Sequence, residues 1–229
     1  MPLGVDLDGE IRRVDPDRWL TSRFIANPER RAEVVALYAF DHELARAETA
    51  ASNPLAAEIR LAWWRETLAE IIAGEPVRRH PTAEALAGAV RTHTLPQMTF
   101  EAMIEARIEN LDRQILNSGE AMAFAKASQG GLARLAALVL GAGEAASGAE
   151  AAGTVWGLVL LRRAQRATDL DGALREVLSD ARREAQWLPT AAFPAALAAT
   201  LARAELRGPK PSALERQLRL SWAALTGSL

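Results

Sequence analysis

Nowhere along these 229 residues do β-branched and aromatic side chains alternate with polar ones; alanine, leucine, arginine and glutamate dominate throughout. Helix is therefore favoured almost everywhere, and strands are not. The punctuation agrees. Asn27-Pro28-Glu29-Arg30 sets a capping amide before a first-turn proline, and Val34, Leu37, Tyr38 and Asp41 follow at helical spacing. The stretch from Pro54 carries Ile59, Trp63 and Ile71 on related turns and stops at Gly74 before Pro76. A shorter helix is expected in "HPTAEALAGAVRTHTLP" and a longer one in "TFEAMIEARIENLDRQILNSG", with Met103, Arg107, Leu111 and Ile115 in register. Ser147/Glu150 and, after Pro211, Ser212/Glu215 form capping-box patterns. The pattern predicts about nine or ten helices joined by short loops.

Composition narrows the function. At 49% apolar and 24% charged, the chain has the make-up of an ordinary globular protein of one compact domain. A formal charge of -2 leaves no global basic field, which argues against general attraction to nucleic acid or anionic lipid, so any anion site must be local. With no cysteine there are no thiolate metal sites, disulfides or thiol nucleophiles. His42, His80 and His93 are too far apart in sequence for a zinc-type pair. "SQGGLARL" and "LGAGEAASG" lack both the spacing of a phosphate loop and a preceding strand, so they read as helix joints. No apolar run is long enough to span a bilayer, and "MPLGVDLDGEIRR" lacks the order of a secretory signal. A cytoplasmic location is expected, with peripheral membrane contact left open.

Three segments carry a family likeness. In order, "DPDRWLTSRFIANPERRAEVVALYAFDHELA", "EIRLAWWRETLAEIIAGEPVRRHPTAEAL" and "GTVWGLVLLRRA" resemble the squalene/phytoene synthase superfamily, the head-to-head prenyl transferases, from about Asp15 to about Pro189. The most specific part is Leu61, Trp63, Trp64 and Arg65 followed by Gly74, Pro76 and His80-Pro81. The resemblance implies an all-α fold, a single helical bundle of the trans-isoprenyl diphosphate synthase (terpenoid synthase) type. It would occupy residues 1–229 as one domain, shortened in its C-terminal part after about residue 168. Members hold magnesium on two aspartate-rich motifs across an apolar cavity. The metal suits oxygen ligands and neutralises charge on the departing diphosphate as an allylic cation forms.

This chain departs from that pattern. Where the family has DDxxD after its YAF segment, Ala45, Arg46 and Thr49 stand here. Of the second motif, of the type GxAxQLTNILRDVxED, Gly153, Leu158 and Arg163 correspond, while the glutamine, the asparagine and both aspartates are replaced. "RATDLDGALREVLSDARREAQWLP" replaces a site-closing segment of the type ARRGRxYLPxEEL. The run Phe40 to Ala45, with GxxWGL from Gly153 and Arg163-Ala164, resembles the branch that includes the mitochondrial complex I assembly factor with a phytoene synthase fold, a branch held to be non-catalytic.

The resemblance thus implies a catalytically inactive homologue acting in assembly or scaffolding, with no assigned catalytic residue, metal or cofactor. Its partners would be respiratory complex I subunits or another protein. An isoprenoid or other lipid is a candidate ligand, and contact with the inner membrane a candidate location. The alternative is an active prenyl transferase that uses Mg²⁺ to join two isoprenyl diphosphates head to head.

Particular residues carry these readings. Asp41, Glu43, Glu48, Asp169 and Asp171 are the vestigial metal and diphosphate region, Glu43 first among them. The competing view is a solvated helix face, with Glu43 and Arg46 an ion pair worth a few tenths of a kcal/mol. Arg65, Arg162, Arg163 and Arg166 are candidates for an anion site, or else complement helix dipoles. Phe40, Trp63, Phe124, Trp156 and Leu160 are candidate cavity-lining residues, and Phe124, Trp156 and Leu160 mark whether a cavity is open or filled. Trp63 and Trp64, about 100° apart on a helix, cannot both face inward. Gly153 and Gly157, beside Ala151 and Ala152, read as a close-packing stripe.

Overall fold

The computed structural model describes residues 6–49, 53–113, 115–207 and 211–229. Among them twelve α-helices follow in order: α1 (Leu7–Val14), α2 (Pro16–Ser22), α3 (Pro28–Thr49), α4 (Pro54–Ala73), α5 (Pro81–Thr92), α6 (Gln97–Ile108), α7 (Ser118–Ala125), α8 (Gly131–Val139), α9 (Ala146–Arg163), α10 (Leu170–Ala185), α11 (Ala202–Arg207) and α12 (Ala213–Thr226). A π-helical turn, Lys126–Gly130, joins α7 to α8, and 3₁₀ turns occupy Gly143–Ala145, Phe193–Ala195 and Leu197–Leu201. The described residues form no strand, only an isolated bridge between Leu116 and Ala167. The fold is all-α, as expected. More segments occur than predicted because the N-terminal stretch makes two short helices and "EAMAFAKASQGGLARLAALVL" is divided by the π turn.

Local chemistry sets most boundaries. The side chains of Asp6, Asp15, Asn27, Asn53, Asn117 and Ser212 each accept a hydrogen bond from the amide three residues on, satisfying a donor the helix start leaves free. Gly74 and Gly227 close α4 and α12 at φ +75° and +65°, which a side chain disfavours. Two expectations fail for local reasons. Ser147 caps nothing, because the turn Gly143–Ala145 leads directly into α9; Glu150 instead pairs with Arg134 at 2.8 Å. Nor does α6 reach Ile115: the Asn110 side chain donates to the Ala106 carbonyl at 2.7 Å, competing with the next helical amide, and Ile115 lies exposed. Ile59 on α4 also faces solvent.

Two helices form the centre. All residues from Val34 to Asp41 of α3 are buried, as is most of α9, and a helix buried on all sides must be surrounded by others. α1, α4, α5 and α8 pack around α3; α7, α8, α10 and the π turn pack around α9. Glycines allow the closest of these approaches. A Cβ on Gly153 would lie 2.3 Å from the Gln129 carbonyl oxygen and 2.6 Å from the Ala133 Cβ; one on Gly157 would lie 2.8 Å from the Ala125 Cβ. The small-residue stripe of α9 is thus the bed of the π turn. Gly153→Ala is expected to push the turn off α9 and lower stability by about 1–3 kcal/mol, read as a drop in melting temperature.

Candidate functional site

Asp41 sits mid-chain on α3, on the same face as Val34, Leu37 and Tyr38, and is 2% exposed. A lone carboxylate so placed would be costly, and four hydrogen bonds from three donor groups offset that cost. Arg107 Nη2 of α6 donates to Oδ1 at 2.6 Å and Arg18 Nη2 of α2 to Oδ2 at 2.9 Å. Gln129 Nε2, on the π turn, donates to both oxygens at 3.2 and 3.0 Å. Gln129 Oε1 accepts in turn from Arg18 Nη1 at 2.7 Å, and Arg18 Nε pairs with Asp15. Burial pushes the Asp41 carboxyl up, but Arg107, Arg18 and the Gln129 amide outweigh it and hold its pKa below the ordinary carboxylate value. Burial likewise opposes the Arg18 charge, and Asp15 and Asp41 outweigh it, raising its pKa.

A second buried network lies at the far end of α9. Arg163 reaches Asp17 of α2 at 3.0 Å and Glu205 of α11 at 2.6 Å, and its guanidinium lies 4.9 Å from the Trp156 ring centroid. Arg216 of α12 pairs with Asp17 at 3.3 Å, and Arg162 Nη1 donates to the Glu205 carbonyl at 2.5 Å. Burial opposes the Arg163 charge, yet Glu205 and Asp17 raise its pKa. Each network balances: Arg18 and Arg107 against Asp15 and Asp41, Arg163 and Arg216 against Asp17 and Glu205.

Between them Glu48, two turns beyond Asp41 on the same face of α3, pairs with Arg166. Arg166 is held by the loop after α9: Leu116 N donates to its carbonyl at 2.8 Å, and Thr168 N donates to the Leu116 carbonyl at 3.2 Å. Gln165 and Asp169, both at φ +54°, bracket this loop in a conformation side chains disfavour. Phe124 lies between the guanidinium groups of Arg107 and Arg166, 5.8 and 6.0 Å from its ring centroid. At the position of the missing aspartates, the Thr49 hydroxyl donates to the Ala45 carbonyl at 3.0 Å.

The remaining candidates are dispersed. Glu43 is 200° around the helix from Asp41 by the geometry of about 100° per residue. It pairs with Arg46 at 3.1 Å and lines a groove of about 350 Å³ shared with Arg60, Trp63 and His80. Trp64 is the buried tryptophan of its pair, and Phe40 packs edge-on against it and Phe100 at 5.4 and 5.7 Å. Arg65 pairs with Glu105 at 2.5 Å, and Arg162 with Asp171 at 3.3 Å beside Asp169 in a shallow outer groove. Trp156 is buried beside a cavity of about 20 Å³ enclosed by α2, α3, the π turn, α8, α9 and the 3₁₀ segment from Phe193 to Leu201, room for about one water. Leu160 is half-buried at the core's edge, and Phe124 lines a separate outer groove between α6 and α7. Among the described residues, no three His, Asp or Glu side chains are close enough to hold one metal ion.

Sequence reasoning missed Arg18, Gln129, Asp15, Asp17 and Glu205. One signal was present: Asp41 and Arg107 each occupy an apolar register, and charges placed there require partners.

The sequence model of the family described as squalene/phytoene synthase matches residues 11–220. The human and bovine proteins named NADH dehydrogenase (ubiquinone) complex I, assembly factor 6, are each 30% identical over 132 residues, 57% of this chain. The match spans 39% of the length of each relative. Among solved structures, a dehydrosqualene synthase in complex with ligand superposes with a TM-score of 0.70 at 12% identity, covering 96% of this chain and 94% of that one. Squalene synthase HpnC from Alicyclobacillus acidocaldarius does so with a TM-score of 0.66 at 18% identity, covering 97% and 96%. At such identities the likeness shows the fold.

Asp41 supplies a test of the network. Asp41→Asn leaves two buried arginines short of counter-charge and is expected to cost about 3–5 kcal/mol in chemical denaturation near neutral pH. Because its folded pKa is depressed, the stability Asp41 contributes is complete above the ordinary carboxylate pKa and is lost as pH falls through the folded value. The gap between wild type and variant should therefore narrow below about pH 4.

Proposed function

This chain belongs to the squalene/phytoene synthase family, and we propose that it is a catalytically inactive member acting in assembly or scaffolding. The complex I assembly factors it resembles suggest the kind of assembly, with protein subunits rather than a prenyl diphosphate as the partner. The observation that carries this proposal is the arginine-bound state of Asp41.

The donor set supports it. A resident magnesium ion takes carboxylate, water and phosphate oxygens at about 2.0–2.1 Å. Here Asp41 oxygens accept from Arg18, Arg107 and Gln129, Glu48 is paired with Arg166, and Asp171 with Arg162. Ala45 and Thr49 offer no carboxylate at all. These residues do not fit the ion. Arginines contributed by the protein stand beside the acids, and both buried networks are neutral, so neither a cation nor a diphosphate meets an uncompensated charge there. The interior beside Trp156, at about 20 Å³, is far smaller than a farnesyl chain.

Incubation with farnesyl or geranylgeranyl diphosphate and Mg²⁺ is expected to release no pyrophosphate, and calorimetry to detect no binding. Release that Glu43→Ala abolishes would overturn the proposal in favour of a prenyl transferase. For the assembly role, cells deleted for the chain should accumulate less assembled NADH dehydrogenase, and a Glu43→Ala copy should restore it as well as wild type. Rescue by wild type alone would point back to chemistry at Glu43.

A further inference from the structure

The segment from Leu61 to Pro81 contributes no side chain to the buried networks, yet it builds the aromatic wall of a groove. Trp63 is half-buried on α4 and meets the buried Trp64 edge-on, 4.9 Å between ring centroids. His80 packs on both, at 5.6 and 5.1 Å. It stands at the N-cap of α5, but its side chain caps nothing, and its Nδ1 is buried with no hydrogen-bond partner, which a folded protein seldom leaves without a reason. Arg78 lies over the Trp63 ring, 5.4 Å from its centroid, and is itself held by Glu66 at 3.0 Å and Glu70 at 2.6 Å. Three neighbours thus fix a ring that α4 leaves partly in solvent, so little side-chain freedom is lost when something packs on it.

Shape and charge identify what the groove suits. Its volume of about 350 Å³ is at the lower end of the roughly 300–1,000 Å³ of ligand pockets. Apolar surface continues beyond it: Ile59 and Leu55 precede Trp63 at steps of four and are 62 and 65% exposed. That row runs about 12 Å along α4, which suits a stretch of polypeptide better than a compact small molecule. Glu43 is already spent on Arg46 at 3.1 Å, whereas Arg60 lines the same groove, is exposed and has no ion-pair partner among the described residues. Glu66 and Glu70 leave one acid over at Arg78, and Arg79, exposed and likewise without an ion-pair partner among the described residues, offsets it. Glu58 lies about 160° round α4 from Arg60, on the far flank of the apolar row. The charge still to be met at the groove is therefore the Arg60 guanidinium, and a carboxylate is its complement.

We propose that this groove docks an acidic segment of a protein partner, which seats a leucine or aromatic side chain against Trp63, sets a carboxylate on Arg60 and covers Ile59 and Leu55. Tryptophan and arginine side by side are the residue types that carry binding energy at protein interfaces. That the partner is a protein rests on the assembly role proposed above.

The test is selection of peptides from a random display library on the full chain, followed by calorimetry with the peptides selected. They are expected to combine Asp or Glu with Leu, Phe or Trp, to bind one per chain and to bind more weakly as salt is raised. Arg60→Glu should weaken binding about tenfold or more, and Ile59→Ser should weaken it in the same direction. Both variants should melt as wild type does, because both side chains are exposed. Failure to enrich any peptide, enrichment of peptides without acids, or binding that Arg60→Glu leaves intact overturns the proposal. So does a concentration-dependent doubling of mass that Arg60→Glu abolishes with no peptide selected, which would make a second copy the occupant. In cells deleted for the chain, a copy carrying Arg60→Glu and Ile59→Ser should fail to restore assembled NADH dehydrogenase. Full restoration by that copy overturns the groove and leaves the assembly role standing. A deletion that leaves NADH dehydrogenase unchanged strikes the assembly role, while the peptide selection still decides the groove.

Discussion

The shared hold of Arg18, Arg107 and Gln129 on the Asp41 carboxylate is the constraint around which this bundle is organised. It ties α2, α3, α6 and the π turn to one buried point. Buried charges are expensive to desolvate, so such a cluster tolerates little displacement of any member. The arrangement reaches further than its own hydrogen bonds. Gln129 meets Asp41 from within a π turn, and that turn lies this close to α9 because Gly153 and Gly157 lack side chains. Backbone contact on one side of the turn and ion pairing on the other are therefore parts of one device.

The same device bears on function. In a site that grips a diphosphate through metal, carboxylates face one another and cations from solution complete the charge. Here the cations belong to the chain: Arg18 and Arg107 at Asp41, Arg166 at Glu48, Arg163 between Asp17 and Glu205. Such an interior suits cross-linking of helices better than capture of an anion. The apolar row on α12 and the groove beside it lie at the opposite end of the sequence from α3, on a face turned to solvent.

Helix content was readable from the sequence, because caps and apolar spacing act within a turn or two: Asn27 and Gly74 sit where their chemistry required. The family likeness was readable as well, from Leu61 to Pro81 and from the missing aspartates at Ala45 and Thr49. Boundaries were missed where a side chain competed with the backbone, as Asn110 does at the end of α6, or where one turn ran into the next before Ser147.

The site was readable only in part. Asp41 and Arg107 stood out as charges in apolar registers, yet nothing in the spacing joined them. Arg107 is 66 positions from Asp41 and Gln129 is 88. Glu43 ranked ahead of Asp41 and Glu48 in the sequence, but helix rotation keeps Glu48 on the Asp41 face, against Arg166, and turns Glu43 away to the tryptophan groove. Periodicity and caps are local and so are written in the residue order, which established an all-α chain of this family. Which arginine neutralises which acid, and whether Trp156 faces a cavity or fills it, depends on how helices distant in sequence pack and rotate, and folding alone brings those groups together.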